Sequence, residues 1–382
     1  MKKMLCTLLA AVMMLTAMTM SASAEELTGM TANEIVAQMG IGWNLGNTFD
    51  ATGGNRNNLY SQETSWGNPK VTPELIHKVK EAGFTTIRIP VTWYRQLSND
   101  GQYTINPAFL NRVKEVVDMA YAEGLFVIIN MHHENWLNCK TLDTNYVKIG
   151  EQLAAIWAQI AETFADYDQH LIFEGMNEPR MAGTDAEWNG TAAGYAAVNY
   201  LNQVFVNTIR GNAKGHNGER ALMIPGYAAS SSTTVMNKIE LPQWNGQQAE
   251  NIIVSVHCYT PDDFCLSDKQ KDFTWSPYYK TSDATAIDNI FFAIRYQFLK
   301  HGIPVVIGET GATNNDNPAA REQWAYYMGT KSASYKVPII IWDNGSDTSP
   351  GERHIWIDRR GERLSPIPEV IKALFDGAAS VK

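Results

Sequence analysis

The chain has 382 residues and a formal net charge of −9, from 31 basic and 40 acidic side chains. A hydrophobic fraction of 45% and a charged fraction of 19% belong to a globular protein with a large core, and the length fits two average domains or one α/β barrel with insertions. The acidic balance excludes nucleic acid and anionic membrane surfaces as partners, because both are polyanions.

The N-terminus reads as a leader outside the fold. Lys2 and Lys3 precede an uncharged apolar run over residues 4–20, and Ala22-Ser23-Ala24 forms an A-x-A site. Residues 1–24 are therefore expected to be a signal peptide cleaved after Ala24, and the mature chain is expected to be secreted. The apolar run is short for a retained membrane anchor. Residues 25–382 are expected to form one domain that works as a monomer, with no accessory binding module or dockerin. Cys6 leaves with the leader. Of Cys139, Cys258 and Cys265 at most one pair can bridge, with Cys258–Cys265 the candidate and free thiols the alternative.

In chain order, short apolar runs alternate with helical apolar spacing. A strand over 41–45 is followed by a helix over 73–82, a strand over 85–90 and a helix over 109–123. Strands over 126–132 and 171–174 flank a helix over 146–164, and a helix over 194–210 leads to a strand over 222–225. The crossover between 227 and 252 is irregular and weakly helical. Strands over 252–259, 305–309 and 339–342 then alternate with helices over 284–301, 319–329 and 368–375. Gly83, Gly124 and Gly302 stand where a glycine closes a helix before a strand. Eight strands alternating with helices predict a closed (β/α)8 TIM barrel in a single domain. The loop over 42–47 lacks the G-x-G-x-x-G spacing of a nucleotide-binding open sheet, and no cofactor is expected.

Polar groups recur where the strands end, the face on which barrels keep their active sites. Asn47 and Asp50 follow the first strand, Arg88 ends the second, and His132-His133-Glu134 ends the third. Asn177-Glu178-Pro179 follows the fourth, His257 and Tyr259 lie on the sixth, Glu309 ends the seventh, and Trp342-Asp343-Asn344 ends the eighth. Neighbouring strand residues point to opposite faces, so His132, His133 and Glu134 are not expected to converge on an ion, and no metal is expected. Two carboxyls facing across a barrel mouth suit cleavage of a glycosidic bond. One protonates the leaving oxygen and the other attacks the anomeric carbon, at a separation of ~5–5.5 Å for a retaining enzyme. Glu309 is expected to be the ionised nucleophile beside Arg88 and Tyr259. Glu178 is expected to be the acid/base, protonated beside Asn177 with a raised pKa. Asn177 is placed for a sugar 2-hydroxyl, and His257 for support of Glu178 or Tyr259. Trp342 is the leading aromatic platform, with His133, Trp136, Asn47 and Asp50 as further sugar contacts. Trp66, Trp188 and Trp275 are weaker candidates, and Trp43 fits packing equally well.

Six ordered motifs carry a resemblance. Ile87-Arg88-Ile89-Pro90-Val91, Asn130-Met131-His132-His133, Gly175-Met176-Asn177-Glu178-Pro179, His257-Cys258-Tyr259, Ile307-Gly308-Glu309 and Trp342-Asp343-Asn344 resemble glycoside hydrolase family 5, the cellulase family of retaining (β/α)8 enzymes. The segments over 42–48 and 63–69 are similar to its subfamily 4. The resemblance implies Glu178 as proton donor and Glu309 as nucleophile, supported by Arg88, His132, Asn177, His257, Tyr259 and Trp342. It implies an endo-β-1,4-glucanase acting on cellulose, mixed-linkage β-glucan and xyloglucan by double displacement. Endo-β-mannanase or broad β-glycanase action on the same machinery is the alternative, and a non-catalytic carbohydrate-binding barrel is the third reading.

Overall fold

The computed structural model describes residues 27–266, 273–348 and 351–381. The leader and its cleavage site at Ala24 lie outside the described residues. Eight parallel strands close a barrel: β1 (Ile41–Asn44), β2 (Thr86–Ile89), β3 (Phe126–Asn130), β4 (Leu171–Glu174), β5 (Leu222–Ser230), β6 (Ile252–His257), β7 (Val305–Thr310) and β8 (Ile339–Ile341). β1 pairs with β2 on one side and β8 on the other, which completes the ring. The predicted architecture is thus observed.

The strands are apolar on both faces because helices cover the outside and side chains fill the inside. Ile87, Val127, Phe173, Ile224, Val254, Ile307 and Ile341 face the helical layer and join the main core. Ile128, Ile172, Met223, Ile253, Val306 and Ile340 alternate with them and fill the barrel floor. The predicted helices are present with small shifts of their ends, as in Pro73–Glu81, Pro107–Ala122, Leu142–Thr163 and Ala192–Gly211. Gly83 and Gly124 follow the first two of these with φ of 99° and 66°, the left-handed conformation expected after a helix end. The irregular crossover holds one helical turn, Thr233–Met236, and a two-stranded hairpin, Gln243–Trp244 with Gln247–Gln248.

One element goes beyond the sequence reading. A helix over Ala32–Met39 packs Ala32, Ile35, Val36 and Met39 against the barrel floor, closing the end opposite the strand C-termini. A capping box starts it, with the Thr31 side chain accepting from the Glu34 N–H and the Glu34 carboxylate accepting from the Thr31 N–H.

Besides a shift between Pro225 and Ser230 in the pairing of β5 with β6, pairing irregularities lie on both sides of β7. On the β6 side, Val256 pairs with Ile307 but His257 with Glu309. On the β8 side, Ile339 pairs with Ile307 but Ile341 with Thr310. Both neighbours are one residue short against β7, so a bulge sits at Gly308-Glu309. Strict alternation from the inward Val306 would turn Glu309 outward; the bulge re-aims it into the barrel mouth.

Candidate active site

Above the apolar floor lies a polar layer built around one guanidinium. Arg88 is fully buried and donates through Nε to Glu174 Oε2 at 2.7 Å. Its Nη1 reaches Asn44 Oδ1 at 2.9 Å and Glu309 Oε1 at 2.8 Å, and its Nη2 reaches Asn177 Oδ1 at 2.7 Å. Asn130 Nδ2 and Ser255 Oγ also donate to the Glu174 carboxylate, at 2.9 Å and 2.7 Å. A buried arginine carries a large desolvation cost, which here is met by two carboxylates and two amide oxygens. Burial works against the Arg88 charge, but Glu174 and Glu309 outweigh it and drive its pKa up.

Glu309 is held from both sides. Oε1 takes the Arg88 bond, and Oε2 accepts from the Tyr259 hydroxyl at 2.9 Å. Burial and the neighbouring charges of Glu309 and Glu178 push the Tyr259 pKa well up, so the phenol stays a donor. His132 approaches Glu309 Oε1 with Nε2 at 4.0 Å. Burial, together with the charges of His133 and Arg88, keeps the His132 imidazole neutral. The Asn130 amide nitrogen, 3.3 Å from His132 Nδ1, donates to it and leaves the ring proton on Nε2, toward Glu309.

Glu178 comes from the loop after β4 and is also held at both oxygens. Oε1 lies 2.7 Å from His257 Nδ1, and Oε2 accepts from Arg180 Nη1 at 3.2 Å. One carboxylate oxygen of Glu178 lies within 4.8 Å of one of Glu309, with His257 inside the same radius. The predicted proton placement is corrected here. Burial alone would raise the Glu178 pKa, but the His257 bond and the charges of His257 and Arg180 lower it. On His257, burial is overcome by Glu309 and Glu178, which raise its pKa. Each partner of this pair thus favours the charged form of the other.

Other expectations meet mixed outcomes. His132 and His133 lie side by side, with ring centroids 4.3 Å apart, but Glu134 does not join them, as expected. They follow the last residue of β3, where strand alternation no longer applies. Glu134 turns away and accepts from the Trp93 and Tyr94 N–H groups and from Trp136 Nε1. Burial pushes its pKa up to about 7, against those donors. Asp50 is buried and accepts from the Asn47 and Thr48 N–H groups at 2.9 Å and 2.6 Å, and one of its oxygens lies within 4.8 Å of ring nitrogens of His132 and His133. Trp342 is 8% exposed and lies parallel to His132 at 5.8 Å. Its ring packs where a Cβ on Gly46 would fall 2.8 Å away, which is why glycine stands there. Asn47 and Trp66 line a cavity of about 880 Å³ between the loops that follow β1 and β8. Trp66 is exposed and lies 5.7 Å from His133. Trp43 and Trp275 are core residues. Cys258 and Cys265 are buried and unbridged.

The sequence reading missed Asn44, Glu174, Ser255 and Arg180. The first three stand two residues above inward floor positions (Gly42, Ile172, Ile253), so extending the alternation by one step would have found them. Arg180 sits in a loop, where no periodicity points to it.

Known proteins resemble this chain in sequence and in fold. A family model described as cellulase (glycosyl hydrolase family 5) matches residues 49–348. Over 357 residues the chain is 42% identical to endoglucanase B of Neocallimastix patriciarum, covering 92% of this chain and 72% of that protein. The solved structure of a GH5-4 broad specificity endoglucanase from Clostridium longisporum superposes with a TM-score of 0.85 at 39% identity, over 93% of this chain and all (100%) of the other. One of the same description from Ruminococcus flavefaciens gives 0.84 at 39% identity, over 92% and 99%.

Proposed function

The chain belongs to the cellulase family, glycosyl hydrolase family 5, and from that premise we propose that Glu309 and Glu178 divide a two-step double displacement between them. The protein is a glycoside hydrolase of the endo-β-1,4-glucanase type. The observation that carries the residue assignment is the pair of carboxylates within 4.8 Å, each in a different charge environment. That spacing suits attack by one group without room for water between them.

In the first step a Glu309 oxygen bonds to the anomeric carbon while the bond to the leaving sugar oxygen breaks. The proton held by the Glu178–His257 pair passes through Glu178 to that oxygen. Arg88 and Tyr259 hold the attacking carboxylate without reorganising during the step. Formation of the ester removes the Glu309 charge. That charge favoured a proton on the neighbouring pair, so its loss frees Glu178 to take a proton from water in the second step. Asn177, fixed by Arg88, is the group for the sugar 2-hydroxyl.

The substrates are internal β-1,4-glucosidic bonds of cellulose, mixed-linkage β-glucan and xyloglucan, a reading supported by solved relatives described as broad specificity endoglucanases. Export through the leader and work as a monomer complete the proposal. Glu309→Gln is expected to lower kcat on soluble β-glucan by about 10³-fold or more while glucan binding persists, and Glu178→Gln to do the same. Near-normal turnover in Glu309→Gln would refute the assignment.

A further inference from the structure

We infer that Arg180 is a positioning residue that switches the acid/base between its two roles, releasing one carboxylate oxygen of Glu178 when a sugar occupies the leaving-group side beneath Trp188. The inference rests on the assignment of Glu178 as acid/base. The starting observation is that both Glu178 oxygens are engaged, Oε1 by His257 and Oε2 by Arg180. An acid that must protonate a leaving oxygen needs one oxygen turned to it. The His257 bond, at 2.7 Å, holds the proton to be delivered; the Arg180 bond, at 3.2 Å, is the longer and holds none that the reaction uses.

Arg180 can leave Glu178 without being stranded. Its Nε already donates to Glu187 Oε1 at 3.2 Å, and Glu187 is anchored by the Gly183 N–H at 2.8 Å. Losing one of two carboxylate partners therefore leaves a charge that is still paired, which keeps the cost of movement small. The backbone beneath is fixed: Ala228 N–H donates to Pro179 O, and Met181 N–H to the Tyr227 hydroxyl. Motion is thus confined to the side chain.

Trp188 supplies the link to substrate. The Arg180 guanidinium lies 4.5 Å from the centre of its ring, and the indole is 58% exposed. Arg180 touches both Glu178 and the Trp188 ring, so with Glu178 meeting the leaving oxygen the exposed indole is toward the leaving-group side. A pyranose stacked there would press on the same arginine that occupies Glu178 Oε2.

The charge logic matches the two half-reactions. Glu178 is faced by His257 and Tyr259 from the end of β6, by Glu309 from β7, by His133 from the loop after β3, and by Arg180 from its own loop. Arg180 favours the carboxylate, which helps the second step and opposes the first. Released in the first and returned in the second, it assists both.

The experiment compares wild type, Arg180→Gln, Arg180→Lys, Trp188→Ala and Glu178→Gln on 2,4-dinitrophenyl and phenyl β-cellobiosides and on cello-oligosaccharides. Without the cation the Glu178 pKa rises, so the acid limb of kcat for the dinitrophenyl substrate, limited by the base-assisted second step, moves to higher pH. At neutral pH that kcat falls about tenfold, while kcat/KM for the phenyl substrate falls less and its basic limb also moves up. Arg180→Lys restores the acid limb, and Trp188→Ala raises KM for cello-oligosaccharides by a larger factor than KM for the dinitrophenyl substrate. Equal loss on both aryl substrates with no limb shift would overturn the role of Arg180, and an unchanged KM in Trp188→Ala would overturn its link to substrate. If Glu178→Gln itself keeps the wild-type rate and profile, the acid/base assignment fails instead.

Discussion

Arg88 and Glu174 show how single residues hold the site. Both side chains are completely buried, and the guanidinium is balanced by Glu174 beneath and Glu309 above. Glu174→Ala would leave a buried cation with one carboxylate partner, and three donors (Arg88 Nε, Asn130 Nδ2 and Ser255 Oγ) without the acceptor they share. The expected loss is about 3–5 kcal/mol of stability, measured as a drop in the urea midpoint at unchanged slope. A loss below about 1 kcal/mol would mean that Arg88 does not need Glu174. The two glutamates at the mouth were legible because few residue types at strand ends can cleave a glycoside. The protonation of Glu178 was not legible, because it is set by His257, 79 positions away, and by Arg180 in a loop. The backbone donors that hold Asp50 were not legible either, because they lie in its own loop, where no spacing rule reveals them.

The bulge in β7 is the element on which Glu309 depends. Gly308 stands inward, and a Cβ there would lie 3.0 Å from Ser255 Oγ and 3.4 Å from His257 Nε2, tighter than ordinary contact. Gly308→Ala is therefore expected to push β7 and β6 apart at the mouth. Displacing Glu309 on the ångström scale is expected to cost about 10²-fold in kcat, with far-ultraviolet circular dichroism unchanged. Retention of full activity would show that the bulge tolerates a side chain. Strands and helices were legible from apolar periodicity to within a few residues, but a bulge leaves no mark on that pattern. The helix over Ala32–Met39 was missed although Thr31 and Glu34 spell a capping box, because eight residues give too short a stripe to stand out.

At the scale of the whole molecule, closure of the ring is what brings chemistry together. Arg88 and Glu309 are 221 positions apart and 2.8 Å from one another, which requires every intervening strand to pair in order. The order of motifs announced eight units; the polar layer that couples them could only emerge once the barrel closed. A nucleophilic Glu309 becomes covalently glycosylated during turnover. Incubation with a 2-deoxy-2-fluoro-β-cellobiosyl fluoride, followed by proteolysis and mass spectrometry, tests it directly. A single adduct is expected on the peptide that carries Glu309, mapped to that side chain. An adduct on Glu178 or another carboxylate, or inactivation with no covalent adduct, would contradict it.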